Sequence, residues 1–514
     1  MNITHYIFYI FIAMTVLVYY MTPLKVRQWV PLVASIVFYT WGCGLPLFCV
    51  MCGLSLIAWA AAITVGKKSK NSKSKVKITV GVIIVFGVTL IAFKDLKFFT
   101  VNLHYLAQLV GHNLNLKPPM WSAPLGVSYF TLMLVSYILD VSWGKINAEK
   151  NPLKVVLFTC YFPQMVSGPF TRYSEISAEL FAGHTFDYNN ITFALQRMVW
   201  GLFKKLVIAE RFAVIQTTIY ANYETLGGGY VLLGAICYVG RVYTDFSGCM
   251  DIIIGVSQML GIRLPENFRQ PFNSRSLSEL WRRWHITLGL WVKDYIMYPL
   301  QKTLASKYSN KWKDKLGKKW SKSLVLYTAM FVTWFFTGFW HGGTWNYISF
   351  GIWCFIFIVA GELLQPWFDK VKMLLNVNED AWSWHFFQSV RTFLLFMFSI
   401  SFQPALSFTD GLKMWGLAIT NIHDNFVTIT TAWFDKSIYG AIGLDEKDSK
   451  MLIIGLLVLL LVSTLQLKGS VRGRIAQQNL PLRWALYLFM FFAVVIFGMY
   501  GVDFNPADFI YAGF

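Results

Sequence analysis

At 514 residues, with 56% hydrophobic residues, 18% aromatics and only 14% charged, the chain is far more apolar than a soluble domain, where charged residues approach a quarter. Its formal charge of +19 is concentrated: Lys67, Lys68, Lys70, Lys73, Lys75 and Lys77 carry +6, and eight lysines with Asp314 between residues 302 and 322 carry +7. Lipid is therefore the expected solvent, basic loops between apolar runs argue against a nucleic-acid partner, and no soluble domain of ordinary size fits between those runs.

In chain order, the first predicted span covers 6–20. No basic segment precedes it and no small-residue cleavage site follows it, so it reads as a retained anchor rather than a signal peptide. Running from outside to inside, it delivers Lys25 and Arg27 to the cytoplasm. A second span over 30–41 returns outward to a turn at 42–46, and a third over 47–65 leads back to the first lysine loop. Lys and Arg are retained on the cytoplasmic side, and contact with anionic lipid is the alternative reading of the lysine loops. These steps place the N-terminus on the extracytoplasmic side of the membrane.

Further apolar stretches cover 76–93, 125–139, 153–166, 193–219, 230–260, 324–339, 348–364, 386–402, 452–465 and 485–500. The expected total is about eleven to thirteen passages, counting re-entrant or interfacial segments. Backbone groups in lipid must be satisfied within the protein, and ten-residue alternating strands are absent, so the predicted fold is all-α and polytopic. No repeat or linker divides the chain. It is expected to form one domain, with N-terminal spans over 1–150, a catalytic core over 155–366 and C-terminal spans over 367–514. Seven cysteines lie mostly inside apolar runs, and the Cys49/Cys52 pair lacks a partner pair at metal-site spacing, so neither a disulfide framework nor a metal site is expected.

Residues 161–362 differ from their flanks in carrying ionisable groups at probable membrane depth. A charge at the bilayer centre costs about 2.5–3.5 kcal/mol on insertion scales, so such groups default to function. His341, in Trp340-His341-Gly342-Gly343, and His285, in Trp281-Arg282-Arg283-Trp284-His285, are the two histidines set in aromatic surroundings. A helix starting at Lys322 would place His341 about 28 Å along its axis. On one continuous helical wheel, Trp281, Trp284, Leu288, Trp291 and Tyr295 share a face, with Arg283, Thr287 and Asp294 to one side and His285 beside Arg282 to the other, as in an interfacial or re-entrant helix.

A neutral imidazole suits removal of a proton from an alcohol as it attacks a thioester or ester. No G-x-S-x-G elbow, phosphate loop, H-E-x-x-H helix or dinucleotide fingerprint is present, which leaves cofactor-free transfer or transport. A core histidine packed between tryptophans remains the ordinary alternative at either position.

Taken together, Asp245-Phe246-Ser247-Gly248, Arg263-Leu264-Pro265-Glu266-Asn267-Phe268, the Trp281–His285 run, Asp294-Tyr295 and Trp340-His341-Gly342 resemble the signature of bacterial membrane-bound O-acyltransferases, in the AlgI-like branch that serves alginate O-acetylation. Tyr161-Phe162-Pro163-Gln164 with Gly168-Pro169, the early Ser35-Ile36-Val37-Phe38-Tyr39-Thr40-Trp41 and the terminal Asp508-Phe509-Ile510-Tyr511 extend the resemblance along nearly the whole chain. It implies a ring of helices around a tunnel, with His341 as principal catalytic histidine and His285 as the second. Asn267, Asp245, Trp340, Trp284 and Ser247 would line or support the site. Also implied are acetyl transfer from a cytoplasmic thioester such as acetyl-CoA, a polysaccharide acceptor and an extracytoplasmic acyltransferase partner, with no permanently bound cofactor. Cys354 and Phe355 stand where some relatives carry a further histidine, and Gln164 stands where some have histidine. D-alanyl transfer to teichoic acid, as in DltB-like relatives, is the nearest alternative. A glycan exporter is the alternative of a different class.

Overall fold

The computed structural model describes residues 3–69, 72–114, 121–165, 167–420 and 422–500. Lys70, Val166 and the terminal motif Asp508-Phe509-Ile510-Tyr511 lie outside the described residues. The described chain is helical, and its one β feature is an isolated antiparallel bridge between Phe268 and Trp284. Two compact units emerge within it, one built from Met1–Gly201 and Cys249–Pro265, the other from Leu202–Gly248 and Glu266–Ala507.

In the first unit, α1 (Tyr6–Met21) packs on α2 (Val30–Cys43), and α2 on α3 (Leu45–Gly66). The predicted turn between them is made at Gly44, whose φ of 81° lies where side chains are disfavoured, so α3 starts at once. A long helix, α4 (Lys73–Leu109), carries a π turn over Ile91–Asp95, and it and α3 enclose α5 (Val127–Trp143). α6 (Pro152–Cys160) packs on α2 and α3. Two buried hydroxyls turn back onto their own helices, Ser35 to Pro31 O at 2.6 Å and Ser55 to Met51 O at 2.9 Å, which satisfies these donors between helices. α7 (Tyr188–Leu202) is tied within this unit by Arg197, whose Nε donates to Asp251 Oδ1 at 2.8 Å.

The second unit begins with a π turn, Phe203–Ala209, all seven residues of which are buried, followed by α8 (Glu210–Ala221). The apolar stretch predicted over 193–219 is therefore not a plain lipid-facing span. α9 (Gly228–Met259) supplies its residues up to Gly248 to this unit. Two short helices follow, α10 (Leu277–Arg283) and α11 (Ile286–Val292). The next helix bends at Gly317, where φ is 79°, into a basic arm from Tyr298 and a span, α12 (Gly317–His341), that starts five residues before Lys322. α12 packs along α13 (Trp345–Leu363) with glycine on both sides of the crossing, since a Cβ on Gly338 would strike Tyr347 O and one on Gly351 would strike Trp334 O. α14 (Trp382–Ile400), α15 (Glu446–Leu467) and α16 (Leu480–Phe497) complete the unit, the last two packing on the π turn.

Six helices among the described residues are long and apolar enough to cross a membrane: α3, α4, α12, α13, α15 and α16. α1 and α5 are apolar but shorter. Other stretches counted as passages in the sequence, such as 153–166 and 193–219, are interrupted or carry charges.

Candidate active site

The helix predicted through Trp281–Tyr295 is broken, and the break is at a candidate residue. Ser276 caps the start of α10 by accepting from Glu279 N at 3.2 Å, and Glu279 pairs one turn later with Arg283 at 2.7 Å. At Trp284 the backbone becomes extended, and at His285 it enters the left-handed region, with φ 45° and ψ 50°. For a non-glycine residue that conformation costs about 1–3 kcal/mol and persists only where surroundings enforce it. A short antiparallel pairing does so here: Arg269 N donates to Arg283 O at 2.9 Å, Ile286 N donates to Asn267 O at 3.1 Å, and Phe268 faces Trp284. The continuous wheel is thus corrected, although its aromatic stripe survives, with Trp284, Leu288, Trp291 and Tyr295 all buried.

Asn267 anchors the break. Its Oδ1 accepts from Thr287 N at 3.0 Å and from Thr287 Oγ1 at 2.8 Å, and lies 3.4 Å from His285 Nδ1. Because a backbone N–H points at that atom, it is the carbonyl oxygen, and the neighbouring Nδ1 is the protonated nitrogen. The lone pair of His285 then sits on Nε2. His285 lies outside the six spans, and burial pushes its pKa down, to about 3, so the ring is neutral near pH 7.

His341 is the last residue of α12 and is followed by Gly342 in extended backbone. The structure brings the two histidines together across 56 residues of chain, with ring centres 6.3 Å apart and planes inclined by 53°. Both are buried, at 3% and 4% exposure. Trp340 lies against both, 4.9 Å from His341 and 6.4 Å from His285. Phe350 of α13 meets His341 edge-on at 5.9 Å, and Phe246 of α9 meets His285 edge-on at 4.7 Å. Trp284 stands behind the break, packed on Phe268 and on Phe396 of α14.

Asp245 and Ser247 stand one remove from the imidazoles. Asp245 is ion-paired with Lys205 at 2.6 Å, Lys205 also binds Glu210 at 2.8 Å, and Lys204 donates to Ser247 Oγ at 2.9 Å. Lys204, Lys205, Glu210 and Phe350 were not among the residues the sequence pointed to, and Phe246 and Thr287 stood there only within a motif and on the helical wheel, not as site residues. For the first three the signal was present: four ionisable residues, Lys204, Lys205, Glu210 and Arg211, interrupt an otherwise apolar stretch, and such charges default to the interior. Of the other histidines, His5 caps α1, and the His184 ring lies 2.8 Å from Glu179 O in the first unit.

The fold defines a polytopic membrane protein in which two buried, aromatic-boxed imidazoles lie side by side. Residues 145–312 match the model of the membrane-bound O-acyltransferase family, a segment that holds Asp245, Ser247, Asn267, Trp284 and His285 and ends before Trp340 and His341. The chain is similar to a probable alginate O-acetylase AlgI of Pseudomonas putida, 29% identical over 67% of this chain and 67% of the relative. It is also similar to a peptidoglycan O-acetyltransferase of Helicobacter pylori, 28% identical over 65% of this chain and 64% of the relative. A teichoic acid D-alanyltransferase of Bacillus subtilis is 26% identical over 49% of this chain and 62% of the relative. The chain thus spans about two thirds of the length of these relatives. The match to the membrane-bound O-acyltransferase family covers about a third of the chain, and the relatives named as O-acetylases and D-alanyltransferases place this chain's similarity among acyl-transferring membrane enzymes.

Proposed function

We propose that the protein moves an acetyl group from a cytoplasmic thioester, acetyl-CoA or a related acyl thioester, across the inner membrane for O-acetylation of an exported or cell-surface polysaccharide. His341 and His285 are the catalytic pair, one taking the proton of the attacking hydroxyl while the other orients or receives the acyl-bearing group. The observation that carries the reading is the 6.3 Å approach of two imidazoles inside an aromatic box. Trp340, Trp284 and Asn267 shape that box, and Asp245 and Ser247 support it from behind. The longer matches to O-acetylases, against about half the chain for a D-alanyltransferase, favour acetyl over D-alanyl. An extracytoplasmic acyltransferase that completes delivery is the expected partner, and the N-terminus is expected outside the cytoplasm.

The test is mass analysis of surface polysaccharide from cells carrying the wild-type or His341→Ala protein at equal membrane levels. Loss of acetyl with polymer quantity unchanged supports the reading. Loss of D-alanine instead selects the second acyl group, and loss of the polymer itself overturns acyl transfer in favour of export.

A further inference from the structure

Two adjacent lysines inside a membrane protein need a reason. Lys204 and Lys205 lie on the π turn, and with Glu210 and Asp245 they are almost fully enclosed, the side chains of Lys205, Glu210 and Asp245 being 2%, 1% and 4% exposed. Burying such ions carries a desolvation cost that apolar replacements of similar volume avoid, so packing alone is a weak reason to keep them. What they grip suggests the reason. Successive residues of an α-helix point about 100° apart, so Asp245 and Ser247 project to either side of Phe246. Lys205 holds the first and Lys204 the second. Between those two anchors, the Phe246 ring meets His285 edge-on at 4.7 Å and Phe268 at 5.1 Å, and Phe268 in turn pairs with Trp284. His285 sits at a helix break in left-handed backbone, where no regular helix dictates the direction of its ring. That direction is set from outside, by Asn267 on one side and Phe246 on the other.

We propose that Lys204 and Lys205 are positioning residues for His285: by clamping Ser247 and Asp245, they fix Phe246 as the wall against which the imidazole is aimed. The inference rests on the reading of His285 as a residue of the reaction. The π turn buries both lysines, and both reach α9.

The test uses the full chain in detergent, with two readouts. One is labelling of His285 by diethyl pyrocarbonate, followed by peptide mass spectrometry and scaled to the exposed His423. The other is the split of kcat and KM with acetyl-CoA as donor. Lys205→Met and Ser247→Ala are each expected to raise His285 labelling about threefold, because the ring is released locally. They are expected to lower kcat about 10- to 100-fold per folded molecule at unchanged KM, the effect of misaiming a reacting group. Lys205→Arg, which keeps the charge, restores both. Ser247→Ala removes a single hydroxyl and carries the test if Lys205→Met does not fold. Unchanged His285 labelling in a monodisperse variant overturns the proposal. So does a kcat loss that merely tracks the folded fraction. Labelling that changes while wild-type protein fails to use acetyl-CoA upholds the clamp and points instead at the choice of donor.

Discussion

Two stretches of the second unit pack against each other and follow opposite rules. The π turn and the start of α8 hold Lys204, Lys205, Glu210 and Arg211, and all are buried. α15, which packs on that turn, is a run of leucine and valine whose Leu457 and Leu460 are more than 60% exposed. In water this distribution would be inverted. In lipid the hydrophobic effect does not sort leucines into the core, because acyl chains are as apolar as leucine. Polar and charged side chains gather in the interior instead, where they find one another, and the most hydrophobic helices face outward. Between these two stretches, burial marks the ions and exposure marks the leucines.

That contrast can be broken at several points. The largest effect is expected at His285 itself: His285→Ala should lower acyl transfer from a radiolabelled thioester in isolated membranes by about 10²- to 10⁴-fold, the range for loss of a positioned acid–base group, at unchanged membrane level. Next comes Asn267→Leu, which keeps the branching and heavy-atom count but removes the oxygen that gathers Thr287 and His285. Misaiming the imidazole should cost about 10- to 100-fold in kcat, with less change in KM. The outward face is probed by Leu457→Lys, where a charge in the lipid-facing span should cost about 2.5–3.5 kcal/mol of insertion, read as loss of membrane-integrated protein. At the crossing of α12 and α13, Gly351→Val forces a side chain into Trp334 O and should lower stability by about 1–3 kcal/mol, read as a lower melting temperature in detergent. Leu460→Val should be nearly silent, within about 0.5 kcal/mol, because it exchanges one lipid-facing aliphatic side chain for another. A large loss there would mean that α15 faces protein rather than lipid.

Some of this was legible in residue order and some was not. The start of α1, the turn before α3 and the bodies of α12 and α13 follow from apolar runs bounded by glycine, proline and lysine, all of which are local signals. His341 and His285 stood out because histidine among tryptophans at membrane depth is rare. The helical wheel through Trp281–Tyr295 failed because periodicity assumes regular backbone, and the left-handed turn at His285 is imposed by residues 267–269, some twenty positions earlier in the chain. The lysines of the π turn were hidden because an apolar average over 193–219 outweighs a few charges. Their partners Asp245 and Ser247 lie about forty residues away.

Sequence alone determined that this chain is an all-helical, multi-spanning membrane protein and singled out two histidines within it. It could do so because lipid demands long apolar segments and lets only helices close their own hydrogen bonds in a single stretch of chain. Only the tertiary structure decided that the two imidazoles meet, which tautomer His285 adopts, and that a buried cluster of ions stands behind the ring that aims it. Those outcomes depend on contacts between residues tens of positions apart, and no local pattern encodes such distances.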